Sequence, residues 1–191
     1  MSHKFDYKDR HRLVSKEREK SLPAKKVLRS LGLEKGDNVA DIGSGIGYFT
    51  FPAADIVGIA GKVVAMDLSE EMLRDLKKQV HQLNIGNVET VLVKENDLVL
   101  ESDTIDFAFC CNVLHEVHDL GATLKDIKRI LKGNGRLAII DWIKDYTEKG
   151  PPLDHRLAPI KIIEWLKRLD FKDILLRDLN DSLYSITAAL K

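Results

Sequence analysis

Short apolar segments alternate with amphipathic helical segments along most of the chain, and this alternation constrains the fold more than any other feature. The predicted strands are NVADI at 38–42, KVVAMD at 62–67, NVETVLV at 87–93, TIDFAFCCNVL at 104–114 (ending near residue 112) and GRLAIIDWI at 135–143. The predicted helices occupy 47–58, 69–83, 120–132 and 159–169. Strands separated by helices of this length predict an α/β fold, a doubly wound and mostly parallel sheet with helices on both faces.

The two ends of the chain depart from this alternation. FKDILLRDL at 171–179 and SLYSITAAL at 182–190 are joined by a turn too short for a crossover helix, so they predict an antiparallel hairpin. SKEREKSLPAKKVLRSLGL at 15–33 predicts a helical region that Pro23 interrupts. We therefore expect residues 1–191 to form one domain, with an N-terminal helical segment at 1–31 and the core at 32–191.

A glycine-rich loop, Gly43-Ser44-Gly45-Ile46-Gly47, joins the first strand to the next helix. Its spacing is G-x-G-x-G, whereas dinucleotide-binding loops have G-x-G-x-x-G. Asp41 lies just before the loop, where a carboxylate would repel a diphosphate but attract an ammonium or sulfonium group. Asp67 ends the second strand about 20 residues past the loop, where a carboxylate can accept ribose hydroxyls. A nucleoside with a cationic amino-acid tail fits these acids better than NAD does.

Three segments, VADIGSGIGYFT, VVAMDLSEEML and IDFAFCCNVLHEVHD, are similar to the ordered motifs of class I S-adenosylmethionine-dependent methyltransferases. The subgroup that the chain resembles is the small-molecule kind (type 11), which includes the ubiquinone and menaquinone C-methyltransferases, and the resemblance covers residues 24–142. It implies a Rossmann-like α/β/α sandwich with strand order 3-2-1-4-5-7-6, in which strand 7 is antiparallel. It also implies S-adenosylmethionine as the cofactor and methyl transfer to a small-molecule acceptor by in-line displacement.

The resemblance further assigns cofactor-binding roles to particular residues, which are, in chain order, Asp41, Gly43, Ser44, Gly45, Gly47, Asp67, Leu68, Met72, Glu95, Asn96 and Asn112. The glycine loop and Asn112 would contact the methionine part of the cofactor, with Asp41 acting near its amino group. Asp67 would hold the ribose, and Leu68 and Met72 would line the adenine slot. Glu95 stands where the family usually has an Asp that accepts from the adenine amino group, so it departs from the family pattern.

His115 follows the fourth strand in the segment HEVHD, at the edge of the sheet where ligands of parallel sheets gather. A histidine titrates near neutrality, so His115 is a candidate catalytic base or acceptor-orienting group. The alternative is that it packs beneath the loop and hydrogen-bonds locally. His115 and His118 with one flanking acid are too few ligands to predict a metal site.

The loop GPPLDHRLAP after the fifth strand is the second candidate for contact with the acceptor. His155 and Arg156 could face an anionic or polar acceptor from a segment stiffened by prolines. Equally, Asp154 could pair with Arg156 at the entrance of the next helix.

The N-terminal segment is basic, since residues 1–30 hold ten Lys or Arg and four Asp or Glu. By the same resemblance it would fold over the cofactor as a lid, with Tyr7, Arg12 and Arg18 as candidate contacts. The alternative is a solvated helix whose charges pair with acidic neighbours.

Composition bounds the partners. Thirty Lys or Arg balance thirty Asp or Glu, which argues against a nucleic-acid partner. The only cysteines, Cys110 and Cys111, are adjacent in an apolar strand and are typical of a reducing compartment, so we expect a cytoplasmic protein. No apolar run approaches the roughly 18 residues of a membrane span. The small insertion after the fifth strand predicts either a modest pocket or one completed by a second subunit in a homodimer. Two other functions remain open at this point: an NAD-dependent oxidoreductase, and a non-catalytic nucleoside-binding module that acts through partners.

Overall fold

Seven strands form one sheet in the computed structural model, which describes residues 6–145, 147 and 150–191. The strands are β1 (Asn38–Ile42), β2 (Lys62–Asp67), β3 (Val88–Leu92), β4 (Ile105–Cys111), β5 (Leu131–Trp142), β6 (Lys172–Asp178) and β7 (Leu183–Ala189). Their order is β3-β2-β1-β4-β5-β7-β6. Only β7 runs antiparallel to its neighbours β5 and β6, and the other pairs are parallel. The predicted fold class and strand order are confirmed.

The helices are α1 (Lys16–Ser21), α2 (Ala24–Ser30), α3 (Thr50–Val57), α4 (Glu70–Gln82), α5 (Leu120–Ile130) and α6 (Pro159–Arg168), with 3₁₀ turns at Tyr7–Val14, Gly58–Ala60 and Leu153–His155. Pro23 separates α1 from α2 as predicted. Caps fix several helix starts: the Ser69 hydroxyl accepts from Met72 N at the start of α4, and the Asp119 carboxylate accepts from Ala122 N at the start of α5.

The predicted start of α3 and the predicted end of α5 were wrong, each because of the local backbone conformation. Helix α3 begins at Thr50 and not at residue 47, because Gly47 has a φ of +95° that a helix does not accept. Strand β4 ends at Cys111, in agreement with the predicted end near residue 112, since Asn112 turns away with a φ of +59°. Helix α5 ends at Ile130 and not at 132, because Leu131 is already extended and pairs with Ile105 of β4.

Helices cover both faces of the sheet. On one face, α2 and α3 pack against alternate strand residues such as Val39 and Phe107, and α4 packs beside them on Ala65. On the other face, α5 and α6 pack against the intervening residues, such as Ala40 and Ala108. Alternate residues of β1 and β4 therefore enter different cores, as expected of central strands buried on both sides. In the described ranges, no helix is long and apolar enough to cross a bilayer.

This topology places the site. The strand order reverses between β1 and β4, where the crossovers leave toward opposite faces of the sheet. Ligands of open α/β sheets bind outside the carboxyl ends of the strands at this switch point. The glycine loop after β1 and the histidine segment after β4 meet there.

Candidate active site

A cavity of about 1380 Å³ opens at the carboxyl ends of β1, β2 and β4. Of the residues singled out from the sequence, those that line it are Arg18, Asp41, Gly43, Ser44, Gly45, Asp67, Leu68, Met72, Glu95, Asn96, Asn112 and His115. Its volume exceeds the roughly 300–1,000 Å³ of a pocket for one drug-sized ligand. The cavity therefore has room for a nucleoside and a second small molecule.

The glycine loop is bound to the neighbouring strand β2. Gly43 N and Ser44 N both donate to Met66 O, at 2.8 and 2.9 Å. Gly45 N donates to the Asp67 carboxylate at 2.8 Å, and the other oxygen of Asp67 accepts from Ser69 N at 2.9 Å. Asp67 thus fixes the glycine loop and the start of α4 relative to each other.

The first and last glycines of the loop differ in what requires them. Gly43 has a φ of +72°, and a Cβ there would overlap Val113 Cγ2 in the cavity wall. Gly47 has a φ of +95°, and a Cβ there would lie 2.5 Å from Leu76 Cδ1 of α4. Gly47 is therefore required by packing behind the loop, and the structure does not bring it to the cavity wall.

We predict that Gly43→Ala destabilises the protein by about 2–5 kcal/mol, the sum of a left-handed backbone penalty and an overpacking penalty. The control is Gly86→Ala, because Gly86 has no positive φ and a Cβ there would meet nothing within 4 Å. Urea unfolding of both variants checks this. Equal free energies of unfolding would show that the loop relaxes without cost.

Burial changes the electrostatics of the two acids beside the loop. It raises the pKa of Asp41 to about 7, although the Thr50 hydroxyl donates to this carboxyl at 2.6 Å and opposes the shift. Burial also raises the pKa of Asp67, against the lowering effect of its backbone N–H donors. A cation bound nearby would stabilise both carboxylates in their charged form.

Two buried polar atoms at the loop have no hydrogen-bond partner among the described residues. They are Ser44 Oγ and Asn112 Oδ1, and both residues line the cavity. Asn112 itself is fixed, because its backbone N donates to Ile140 O at 2.8 Å. Buried polar atoms are almost always hydrogen-bonded, so an unsatisfied pair at a cavity wall indicates a polar ligand.

On the far side of the cavity, Glu95 and Asn96 are engaged with other side chains. Glu95 accepts from the backbone N of His118, and its other oxygen lies 2.8 Å from His118 Nδ1. Burial opposes ionisation of Glu95, but these contacts prevail and lower its pKa. Asn96 Oδ1 accepts from the Thr123 hydroxyl at 2.7 Å. Both oxygens of Glu95 are therefore already in use, consistent with its departure from the family pattern.

His115 is held by a residue that the sequence reasoning missed. Its Nδ1 lies 2.6 Å from Oδ1 of Asp141, whose side chain is fully buried, and its backbone N donates to Oδ2 of the same carboxylate at 3.2 Å. Burial alone would lower the pKa of His115, but the hydrogen bond and the charge of Asp141 outweigh it and raise that pKa. The one available signal was an acid inside the apolar strand segment LAIIDWI.

The structure does not bring His155 and Arg156 to the main cavity. Both line a smaller cavity of about 500 Å³ that shares His115 with the main one. Arg156 is buried, and its guanidinium donates to the backbone carbonyls of Pro151, Ile143 and Asp145 at 2.9, 3.0 and 2.7 Å. Arg156 thus holds the loop after β5 in place, which explains how that loop keeps its shape.

A family model described as a methyltransferase domain matches residues 33–160, more than half of the chain. The chain belongs to the methyltransferase-domain family. The ubiquinone/menaquinone biosynthesis C-methyltransferase UbiE of Pseudoalteromonas translucida is 29% identical over 125 residues, which are 65% of this chain and 50% of that protein. The resemblance found in the motifs is confirmed. The chain spans about half the length of the curated relatives it matches.

Solved structures agree on the fold of this methyltransferase domain. A SAM-dependent methyltransferase from Aquifex aeolicus superposes with a TM-score of 0.92 at 30% identity, covering 98% of this chain and 100% of that one. The [4+2]-cyclase SpnF superposes with a TM-score of 0.75 at 15% identity, covering 87% of this chain and 81% of that one. The second likeness shows the fold alone.

The segment before the matched region closes one side of the cavity of the methyltransferase domain. The Tyr7 hydroxyl donates to Asp75 of α4 at 2.7 Å, and Leu13 Cδ1 lies 3.1 Å from where a Cβ on Gly45 would be. Further along, Tyr48 donates to Leu22 O at 2.7 Å. The side chain of Arg12 lies outside the described part of the chain. The described part of this segment is therefore anchored to the core at Tyr7 and again at Leu22.

Within the described ranges, the structure contains no group of three or more His, Cys, Asp or Glu residues that could hold a metal ion. His115 and His118 point to different partners, Asp141 and Glu95. The two histidines therefore serve separate hydrogen bonds.

Proposed function

We propose that this protein transfers a methyl group from S-adenosylmethionine to a small-molecule acceptor. The observation that carries the proposal is the glycine loop tied to Asp67 at the ends of β1 and β2, with a second buried acid, Asp41, behind it. A glycine turn that lets the backbone approach a ligand, a carboxylate placed to accept ribose hydroxyls and an acid suited to a cation meet there in one cavity. The family match supports the same cofactor.

The residues present fit S-adenosylmethionine. Ser44 Oγ can bond the amino-acid end, and Asn112 Oδ1 can accept from its ammonium group, which satisfies both unpartnered atoms. Asp67 retains lone pairs for the ribose hydroxyls beyond those given to Gly45 N and Ser69 N. Leu68 and Met72 contribute apolar surface for the adenine ring. When bound, the cofactor supplies an electrophilic methyl group on a cationic sulfur.

The chain's own residues would align the acceptor and take its proton. With Nδ1–H donated to Asp141, His115 keeps Nε2 as a proton acceptor. A base of this kind is needed only where the acceptor loses a proton as the methyl group arrives. Asp141 would act as a positioning residue, because it fixes both the tautomer and the orientation of the ring. Closure of the lid segment would exclude water, which would otherwise compete with the acceptor.

The N-terminal segment is proposed to close over the bound cofactor as a lid, with Leu13 over the glycine loop and Arg18 in the cavity wall. Bound S-adenosylhomocysteine should then slow tryptic cleavage between residues 7 and 22 several-fold, because local opening is needed for cleavage. The control site is the exposed β6 strand, which lies at the sheet edge away from the cavity. Equal protection of both regions would indicate global stabilisation and no lid.

We also propose the kind of partner, the cellular location and the oligomeric state. The balanced charge favours a small-molecule partner over nucleic acid. A cytoplasmic location rests on the unpaired Cys110 and Cys111 and is checked by cell fractionation. A homodimer that completes the cavity is checked by light scattering.

A non-catalytic nucleoside-binding module is the competing function, because the glycine loop and the acids indicate that a nucleoside binds and do not indicate that it reacts. The fold does not distinguish the two functions, because one fold can carry many functions. Calorimetric titration with S-adenosylmethionine, S-adenosylhomocysteine and NAD tests the cofactor. Binding of the two sulfur nucleosides alone supports the proposal, and binding of NAD alone would exclude it.

A further inference from the structure

Arg18 extends from the short helix α1 into the wall of the main cavity. Its guanidinium lies 4.8 Å from the centre of the Tyr48 ring and 6.0 Å from that of Phe49. Its Nη2 lies 3.8 Å from the Sγ of Cys111, at the end of β4. The lid segment thus places a cation at the strand ends, beside the glycine loop.

The charge of Arg18 has no anionic partner within the described chain. Arg18 forms no ion pair there, and its Nε is buried without a hydrogen-bond partner. Cys111 does not supply the charge, because burial raises the pKa of its thiol to about 12 despite the nearby guanidinium. Among the described residues, the half-buried guanidinium of Arg18 lies beside two aromatic rings and a neutral thiol. Its positive charge and its Nε–H donor are therefore uncompensated, which is energetically unfavourable.

The position of α1 is nevertheless fixed by other contacts. Asn180 Nδ2, in the turn between β6 and β7, donates to Ser21 O at 3.1 Å, and Tyr48 binds the adjacent carbonyl of Leu22. Arg18 is therefore presented to the cavity by a supported helix, and its aromatic contacts leave the edge of the guanidinium available. An arginine edge is suited to bidentate binding of a carboxylate.

We propose that Arg18 binds an ionised carboxylate inside the cavity, so that the ligand itself supplies the missing counter-charge and holds the lid segment closed. This inference rests on the proposed function for the nature of the cavity. The carboxylate has two sources: the amino-acid end of the cofactor or a carboxylate on the acceptor. Glu17 and Asp181 also line the cavity, so a cationic acceptor would be the opposite outcome.

The test compares the wild type with Arg18→Met, Arg18→Lys and the control Lys20→Met. Lys20→Met removes one positive charge from an exposed residue of the same helix that does not line the cavity. Each protein is titrated with S-adenosylhomocysteine and with methylthioadenosine, which keeps the nucleoside and the sulfur but lacks the amino acid. Each is also titrated with benzoate, benzamide and benzylamine, with and without S-adenosylhomocysteine. Unchanged binding of methylthioadenosine shows that a variant is folded.

Loss of a charged hydrogen-bonding partner should weaken binding on the order of 10- to 100-fold. If Arg18→Met weakens S-adenosylhomocysteine but not methylthioadenosine, the cofactor supplies the carboxylate. If Arg18→Met leaves S-adenosylhomocysteine binding unchanged and abolishes only a preference for benzoate over benzamide, the acceptor supplies the carboxylate. In both cases Arg18→Lys should recover part of the affinity, and Lys20→Met should match the wild type.

Wild-type affinity of Arg18→Met for both S-adenosylhomocysteine and benzoate, or a wild type that prefers benzylamine to benzoate, would overturn the inference. Failure of the proposed function has a different signature. In that case the wild type binds neither nucleoside, while the benzoate titration of the unliganded protein still reports on Arg18.

Discussion

Asp67→Ala is expected to weaken binding of S-adenosylhomocysteine by at least about two orders of magnitude, the largest effect on binding that the structure predicts. The variant loses charged hydrogen bonds to the ribose, each worth about 1.5–3 kcal/mol. It also loses the carboxylate that holds Gly45 N and Ser69 N, so the glycine loop is no longer fixed to β2. Calorimetric titration measures the change.

The matched control for this experiment is Asp55→Ala. Asp55 is an exposed carboxylate of α3 that pairs with Lys25 and does not line the cavity. Exposed ion pairs of this kind contribute little, about 0–1 kcal/mol. If both variants bind S-adenosylhomocysteine as the wild type does, Asp67 has only a structural role and the ribose lies elsewhere.

His115→Gln and Asp141→Asn are expected to lower turnover by about 10²–10⁴-fold for acceptors that lose a proton, the range for removal of a general base. In Asp141→Asn, affinity for S-adenosylhomocysteine should stay within a few-fold of the wild type, because Asp141 does not line the cavity. Asp141→Asn keeps the shape of the side chain but no longer stabilises the protonated imidazole. Single-turnover rates and calorimetry separate the two effects. Equal loss of binding and turnover would instead indicate that the cavity has collapsed.

The pH dependence gives an independent check of the same pair. Asp141 raises the pKa of His115 above its usual value against the effect of burial. A general base acts in its neutral form, so the rate should rise with pH through this raised pKa and then level off. In Asp141→Asn the inflection should move to lower pH, on a lower plateau. An inflection that does not move would separate Asp141 from the titrating group.

The parts of the site that could be predicted from the sequence are those whose position depends on one short segment alone. Gly43, Gly45 and Asp67 are of this kind, because adjacent parallel strands bring the ends of β1 and β2 together whatever the rest of the chain does. The alternation of strands and helices likewise determines the sheet. Helix boundaries depend on single backbone angles, such as the φ of Gly47 before α3, and these boundaries were predicted less well.

Hydrogen bonds between side chains of distant segments could not be predicted from the sequence. His115 and Asp141 are 26 residues apart, and the local sequence around each residue does not indicate the other as its partner. Arg156 has the composition of a substrate ligand, yet the loop buries it on three backbone carbonyls. Glu95 similarly bonds to His118 across 23 residues. In each case, tertiary packing decides which carbonyl, acid or imidazole comes within hydrogen-bond distance of the side chain.

Turnover is measured most directly as the formation of S-adenosylhomocysteine from S-adenosylmethionine by the purified protein. The assay uses a panel of small aromatic and quinone-like acceptors, and mass spectrometry identifies the methylated product. We expect acceptor-dependent S-adenosylhomocysteine in equal amount to methylated product, and its loss in Asp67→Ala. Tight binding of S-adenosylmethionine with no transfer to any acceptor would instead exclude the proposed methyl transfer and favour a nucleoside-binding module.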